Sequence, residues 1–395
     1  MEASKTGTLR VSTIIAIAFG FQLMMGLTRP LMTLFSISLG AGTLEVGFIT
    51  ATYALFPLIF AIPIGKIADI VGDRLPVQIG IAGIIIGVGL PFLFPEIWSL
   101  YVSQALTGIS YIFISISLQN LIGNLSNANN RDHHFGLLSM TVALAGIIGP
   151  IVSGVLADLS SYGIAFGIAA IAGLIPLTLS LFLPKLKREK VVISSDESNS
   201  STFALLRIPL IRKALASSAL VLYSRDIYIA YFPLFASASG MSTSMIGLII
   251  GVQGLSMVLV RLFLGRLTSR FGRETILLAS IILAGVSFLF VPLVENVLLC
   301  ALISALMGAG LGCGQPLSMT TTYNASPKHR TGEVLGLRLA TNRLSQTIAP
   351  LFFGLVGAWT GIIVIFYVSG ALLIGGAFLT TESSKKKHSE IVKDA

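Results

Sequence analysis

Asp226 is the one carboxylate that falls deep inside a long apolar run of this chain, and Arg225 precedes it. Arg29 and Arg343 sit near the middle of two other apolar runs. A charge at the centre of a bilayer costs about 2.5–3.5 kcal/mol or more, so by default it faces a wet cavity and a partner. A carboxylate in that position can take up a proton from one side and release it to the other. Arg225 points about 100° away from Asp226 on a helix, so Arg29 and Arg343, on facing runs, are the better partners. The bland alternative is a structural ion pair that never titrates. Tyr223, Gln315, Asn342 and Gln346 are the polar residues that complete this candidate substrate and proton cavity. Arg338, Thr341, Asn342 and Ser345 follow a helical i, i+3, i+4, i+7 spacing, with Gln346 at the edge of their face, closer to Arg343.

The elements that must hold these residues are membrane-spanning helices. The hydrophobic fraction is 54% and charged residues make up 11%, against about 25% in soluble domains. The charges cluster between apolar runs of roughly 20 residues, the length that spans a bilayer as a helix. A β-barrel would alternate apolar and polar residues over about 10-residue segments instead. The spacing predicts twelve spans: 11–39, 45–64, 76–95, 97–122, 134–157 and 162–183, then 212–238, 243–264, 275–295, 297–322, 333–358 and 361–380. The expected organisation is therefore an all-α integral membrane protein with a six-helix bundle over 1–183 and a second over 212–380. A Lys- and Ser-rich linker joins them over 184–211, with a short surface helix near Phe203–Arg207, and a tail follows over 381–395.

Lys and Arg fix the expected orientation. Of the 26, 21 lie in the termini, the linker and the alternate loops on the same side, and the loops on the other side carry none. The positive-inside rule then puts both termini and the linker in the cytoplasm, in a plasma (inner) membrane. The net charge of +9 is a matter of topology and gives no reason to invoke nucleic acid. Cys300 and Cys313 share one apolar run, and the four histidines fall in polar segments. Neither pattern offers a metal site or a disulfide framework, so no metal and no cofactor are expected.

The chain also repeats itself. Gly65, Asp69, Gly72 and Arg74 punctuate the turn after span 2. Gly265, Ser269, Gly272 and Arg273 punctuate the turn after span 8, 200 residues on. At the same offset Gly40, Gly108, Gly136, Pro150 and Gly154 match Gly240, Gly308, Gly336, Pro350 and Gly354. Parallel six-helix repeats are a known architecture of secondary transporters.

The first turn resembles the signature loop of the major facilitator superfamily, and the resemblance covers the whole chain. The second copy departs from it, with Ser269 in place of the Asp. The resemblance implies the major facilitator fold, with spans 1, 4, 7 and 10 lining a central cavity. It also implies that Asp69 latches onto the start of span 11 near Glu333, as a carboxylate facing a helix N-terminus. A solvated turn is the alternative. Arg261 and Arg338 would snorkel or brace the cytoplasmic gate that this loop forms. In span 5, Gly136, Ala145, Gly149, Pro150, Ser153 and Gly154 resemble the antiporter motif of proton-driven exporters, with small residues replacing two of its glycines. That implies a seal favouring export, where the residues alone give a kinked helix with a small-residue face. Gln104 stands where many proton-linked exporters have an Arg. The glycine run 308–314 in span 10 is a thin face for close packing or for ligand approach.

The reading is a secondary active transporter, exporting a small organic molecule against protons by alternating access and acting as a monomer. Uptake or exchange of an organic anion is the alternative, suggested by the excess of Arg over Asp in the cavity. The loops are too short for a catalytic domain, and no enzyme activity is expected.

Overall fold

The computed structural model describes residues 2–126, 131–183, 202–325 and 331–391. The linker segment 184–201 lies outside the described residues. So do the surroundings of Gly65 and the side chains of Asp69, Gln315 and Glu333, although their helices are described.

Among the described residues the secondary structure is helical, with no strand. The first half comprises α1 (Glu2–Ser38), α2 (Thr43–Val71), α3 (Arg74–Leu93), α4 (Ile97–Leu125) and α5 (Arg131–Leu159), followed by α6 (Tyr162–Ala172) and α7 (Leu174–Ser180), which together form span 6. The second half comprises α8 (Pro209–Ala238), α9 (Thr243–Phe271), α10 (Arg273–Phe290), α11 (Val297–Ala325), α12 (Thr331–Thr360) and α13 (Ile362–Ile391). Twelve spans result, and helix starts recur at the offset of 200, as in Thr43 with Thr243 and Ile97 with Val297. The expected surface helix is a 3₁₀ turn over Thr202–Arg207. Leu205 packs there with Ile211, Leu215 and Val334, seating the turn against the starts of α8 and α12.

Among the described residues, nine of the spans are long and apolar enough to cross a bilayer on composition alone. In α13 the apolar part is the shorter Ile362–Phe378. The other two, α8 and α12, are the helices that carry Arg225, Asp226, Arg338 and Arg343. Charged residues of this kind belong on the protein-facing side of a span.

The glycine-punctuated turns are tighter than their sequence suggests. α2 runs through Asp69 to Val71, and α9 runs through Ser269 to Phe271. Gly65 and Gly265 are therefore helical. The chain reverses at Gly72 (φ +83°) and Gly272 (φ +81°), in the left-handed region that only glycine enters without strain.

Packing divides the chain into two units, Met1–Val192 with Ala236–Gly251, and Ile193–Phe235 with Val252–Ala395. In the first, α1 lies against α5, α6 and α7, α3 packs on α4 and α6, and α2 packs on α4. Its core runs through Ile14, Ile17, Met24 and Leu31 of α1 to Ile81 and Ile84 of α3. In the second, α10 packs between α11 and α13.

Candidate functional site

Aromatic side chains fix the middle of α8. Tyr223 stacks on Phe353 at 6.0 Å and its hydroxyl donates to the Ser369 carbonyl at 3.4 Å. Tyr231 is buried and donates to the carbonyl of Pro350 at 2.8 Å. Tyr228, also buried, stacks on Phe232 and meets the Ser304 hydroxyl. Burying aromatic rings while satisfying each hydroxyl sets both the height and the rotation of a helix. Tyr223, a candidate cavity residue, thus also pegs α8 to α12 and α13 inside this unit.

With α8 so held, Asp226 reaches α12. Its Oδ2 accepts from Gln346 Nε2 at 2.7 Å, and Arg343 Nη1 donates to Gln346 Oε1 at 3.1 Å. The amide is oriented by this network, since one face must donate and the other accept. Gln346 thus links Asp226 to Arg343, two residues that the sequence expects to lie close. Pro350 has no N–H to give the Gln346 carbonyl, so the helix is loosened at the residue that carries the relay. Arg225, Asp226, Arg343 and Gln346 are all half-buried. One turn earlier on α12, Asn342 is 5% exposed and its Oδ1 has no hydrogen-bond partner among the described residues.

Two arginines expected at the gate are tied into the second unit. Arg338 is 6% exposed and donates to the Ser318 hydroxyl at 3.4 Å. Its guanidinium is thus turned into the unit, where it can brace α11 and α12. Arg261 donates through Nε to the carbonyl of Gly312 at 3.1 Å, bracing α9 on α11. The glycine run of α11 serves close packing, because a Cβ on Gly308 would lie 2.2 Å from the Gln253 carbonyl oxygen.

In the first unit Arg29 lies over the ring of Tyr53, 4.7 Å from its centroid, and Tyr53 meets Tyr111 edge-on. A cation over an aromatic face is stabilised by about 0.5–2 kcal/mol, which lets a span keep its charge. Arg74, expected in the gate, donates to the Leu181 carbonyl at 2.6 Å, just beyond the C-terminus of α7. Arg273 is exposed at the start of α10. The antiporter-like motif faces two ways. Gly149 closes on Gly26 of α1, where an added Cβ would lie 2.4 Å from backbone carbon. Gly154 closes on α9, where a Cβ would lie 2.6 Å from the Thr243 carbonyl oxygen. Gly136 faces open space.

The sequence profile of the Major Facilitator Superfamily matches residues 14–245 and 214–394. The chain belongs to this superfamily. It is 25% identical over 371 residues to a class H tetracycline resistance protein of Pasteurella multocida, covering 92% of this chain and 90% of that one. It is 26% identical over 381 residues to the multidrug resistance protein MdtG of Enterobacter lignolyticus, covering 91% and 88%. Among solved structures, the nucleoside transporter NupG superposes with a TM-score of 0.78 at 15% identity, over 94% of this chain and 98% of that one. The superfamily membership and this fold make the protein a multi-pass membrane transporter.

Two acids of functional interest escaped the sequence reading. Asp73, directly after the turn glycine Gly72, is 3% exposed and accepts from Asn120 at 3.3 Å. Burial raises its carboxyl above the ordinary 3.8, and the Asn120 hydrogen bond opposes the rise. Asp158 was expected in an outer loop, yet it belongs to the last turn of α5 and binds the start of α9. Its signal in the sequence was its spacing of four, one helical turn, after Gly154.

Proposed function

We propose that the protein is a proton-coupled exporter of small organic molecules, with Asp226 as the proton carrier. The observation that carries this is the relay in which Asp226 is held by the neutral amide of Gln346. A neutral amide serves both protonation states. With the carboxylate ionised, Nε2 donates to it; with the carboxyl protonated, its O–H donates and Oε1 accepts. The hydrogen bond from Arg343 to Gln346 Oε1 belongs to the first state and is broken in the second. Proton uptake thereby becomes a change in the hydrogen bonding of α12, where Pro350 has already removed one backbone bond.

The relatives named for tetracycline and multidrug resistance support export, because each match covers nearly all of both chains. The small-residue face of α5 through Gly149 and Gly154 supports the same direction. Tetracycline is the first probe to use. Everted membrane vesicles should accumulate it on energisation, and collapsing the proton gradient should stop accumulation. Accumulation that persists without a proton gradient would contradict proton coupling.

Uptake of an organic anion is the second reading, favoured by the three arginines Arg29, Arg225 and Arg343 against the single Asp226. It would appear as accumulation in right-side-out vesicles. In either case the protein works by moving a bound solute rather than by catalysis, as a monomer in the plasma (inner) membrane. The Lys and Arg distribution supports cytoplasmic termini. A topology reporter after Ser194 or Lys393 should read as cytoplasmic, and one at Gly42 or Ser160 as external. Two reversed sites would overturn that orientation. Asp69 remains the proposed latch to the start of α12.

A further inference from the structure

The end of α5 is tied to the start of α9 by a carboxylate outside every motif considered above. Asp158 lies one residue before the end of α5 at Leu159. Its Oδ1 accepts from the Thr243 N–H at 3.0 Å, and its Oδ2 accepts from the Ser244 N–H at 2.8 Å. The Ser244 hydroxyl donates to the same Oδ2. The first N–H groups of a helix have no partner within it and form its positive end. Asp158 thus plays, from a different span, the part that an N-cap side chain plays within one helix.

Directly beneath this cap the backbones touch. Gly154, one turn before Asp158, meets the Thr243 carbonyl, and a Cβ on Gly247 would lie 2.1 Å from the carbonyl oxygen of Pro150. The glycine contacts are short-ranged and let the two helices approach. The hydrogen bonds to Asp158 are directional and fix their register. Asp158 is also exposed, so water replaces its partners whenever the helices part. That combination makes a contact specific when closed and cheap to break. It belongs to one half only, since the repeat puts Ala358 at the matching place.

We propose that Asp158 is a positioning residue of the transport cycle, a releasable latch that holds the end of α5 to the first turn of α9. It lets go when that end of the molecule opens. The proposal rests on alternating access by the superfamily. It does not depend on the substrate, the proton or the direction of transport.

The test uses the full chain in lipid, spin-labelled through Ser160→Cys and Ser239→Cys, just beyond the end of α5 and just before the start of α9. Cys300 and Cys313 are buried and serve as the background control. Pulsed electron resonance then gives the distribution of separations. The labelled parent should be dominated by a short separation. Asp158→Ala should raise the population of the longer separation about 2- to 5-fold, the range expected for a surface charge at a helix end. Its thermal midpoint should stay at the parental value, and Asp158→Glu should return part of the short population. An unchanged distribution in Asp158→Ala would overturn the latch. So would a broadened distribution with a matching fall in thermal midpoint, which would make Asp158 a purely structural cap. A chain that shows the shift yet accumulates solute only in right-side-out vesicles would keep the latch and lose the export reading.

Discussion

Gln346 crosses from α12 to donate to Asp226 of α8 at 2.7 Å, and the other face of the same amide carries Arg343. A neutral amide can hydrogen-bond a carboxyl group in either protonation state, donating to the ionised form or accepting from the protonated one. The relay therefore suits a group whose charge must change during a cycle. It also makes Gln346 a residue through which Asp226 and Arg343 are linked.

Replacing that intermediary should uncouple the two. Gln346→Leu keeps the volume but removes one donor to Asp226 and one acceptor of Arg343. A hydrogen bond to a charged group contributes about 1.5–3 kcal/mol, so proton-driven transport should fall by about tenfold or more. Initial rates in everted vesicles, normalised to folded protein, would show it. A parental rate would mean that the amide is incidental to the mechanism.

Arg74 is expected to matter for folding more than for gating. Its hydrogen bond to the Leu181 carbonyl satisfies a group at the C-terminus of span 6. Arg74→Ala should destabilise the protein by about 0.5–1 kcal/mol, after allowance for solvent exposure. Transport per folded molecule should be unchanged. A transport defect at full stability would return Arg74 to the gate.

Asp73 gives a pH dependence whose sign can be worked out. Its carboxyl is raised above 3.8 in the folded protein because it is buried. The folded state then holds the proton more tightly than the unfolded state. The contribution of this group to stability is largest below about 3.8 and is lost as pH rises through the raised value. Asp73→Asn should therefore be at least as stable as the parent at pH 7. Its stability should also change less between pH 4 and pH 7, as read from thermal midpoints in detergent. A steeper slope in the variant would reverse the assigned sign.

The fold was legible because bilayer physics leaves few choices. Apolar runs of span length, the Lys and Arg asymmetry and the offset of 200 led directly to twelve helices in two repeats. The turns were less legible: a helix passes through Gly65 and Asp69 without strain, and only the left-handed Gly72 marks the reversal. At the site, the deep charges Asp226 and Arg343 stood out in the sequence because charge is rare in a span. Gln346 stood out with them, beside Arg343 at the edge of the polar face of span 11, but its bond to Asp226 crosses 120 residues of sequence and could not be read from spacing. The burial of Arg338 and the bond from Arg74 to Leu181 depend on partners far away in sequence, which spacing cannot show. Asp158 was missed because it was placed in an outer loop, and the helix end it caps lies 85 residues away.

The contact of α5 with α9 should be intolerant of bulk. Gly247→Ala places a Cβ 2.1 Å from the Pro150 carbonyl oxygen, so the backbones must separate. Overpacking of this kind costs about 1–3 kcal/mol. Export should drop by about tenfold or more, while Gly136→Ala, facing open space, should be tolerated. Equal activity in the two variants would show that the close approach is dispensable.

The central claim is that Asp226 carries the proton, and substrate-induced proton movement in reconstituted liposomes tests it most directly. Parental protein should move protons across the membrane when tetracycline, or whichever solute the vesicle assay establishes, is added. Asp226→Asn should bind and exchange that solute yet show no coupled proton movement, because an amide in place of the carboxylate has no proton to carry. Proton movement at the parental stoichiometry in Asp226→Asn would contradict the account.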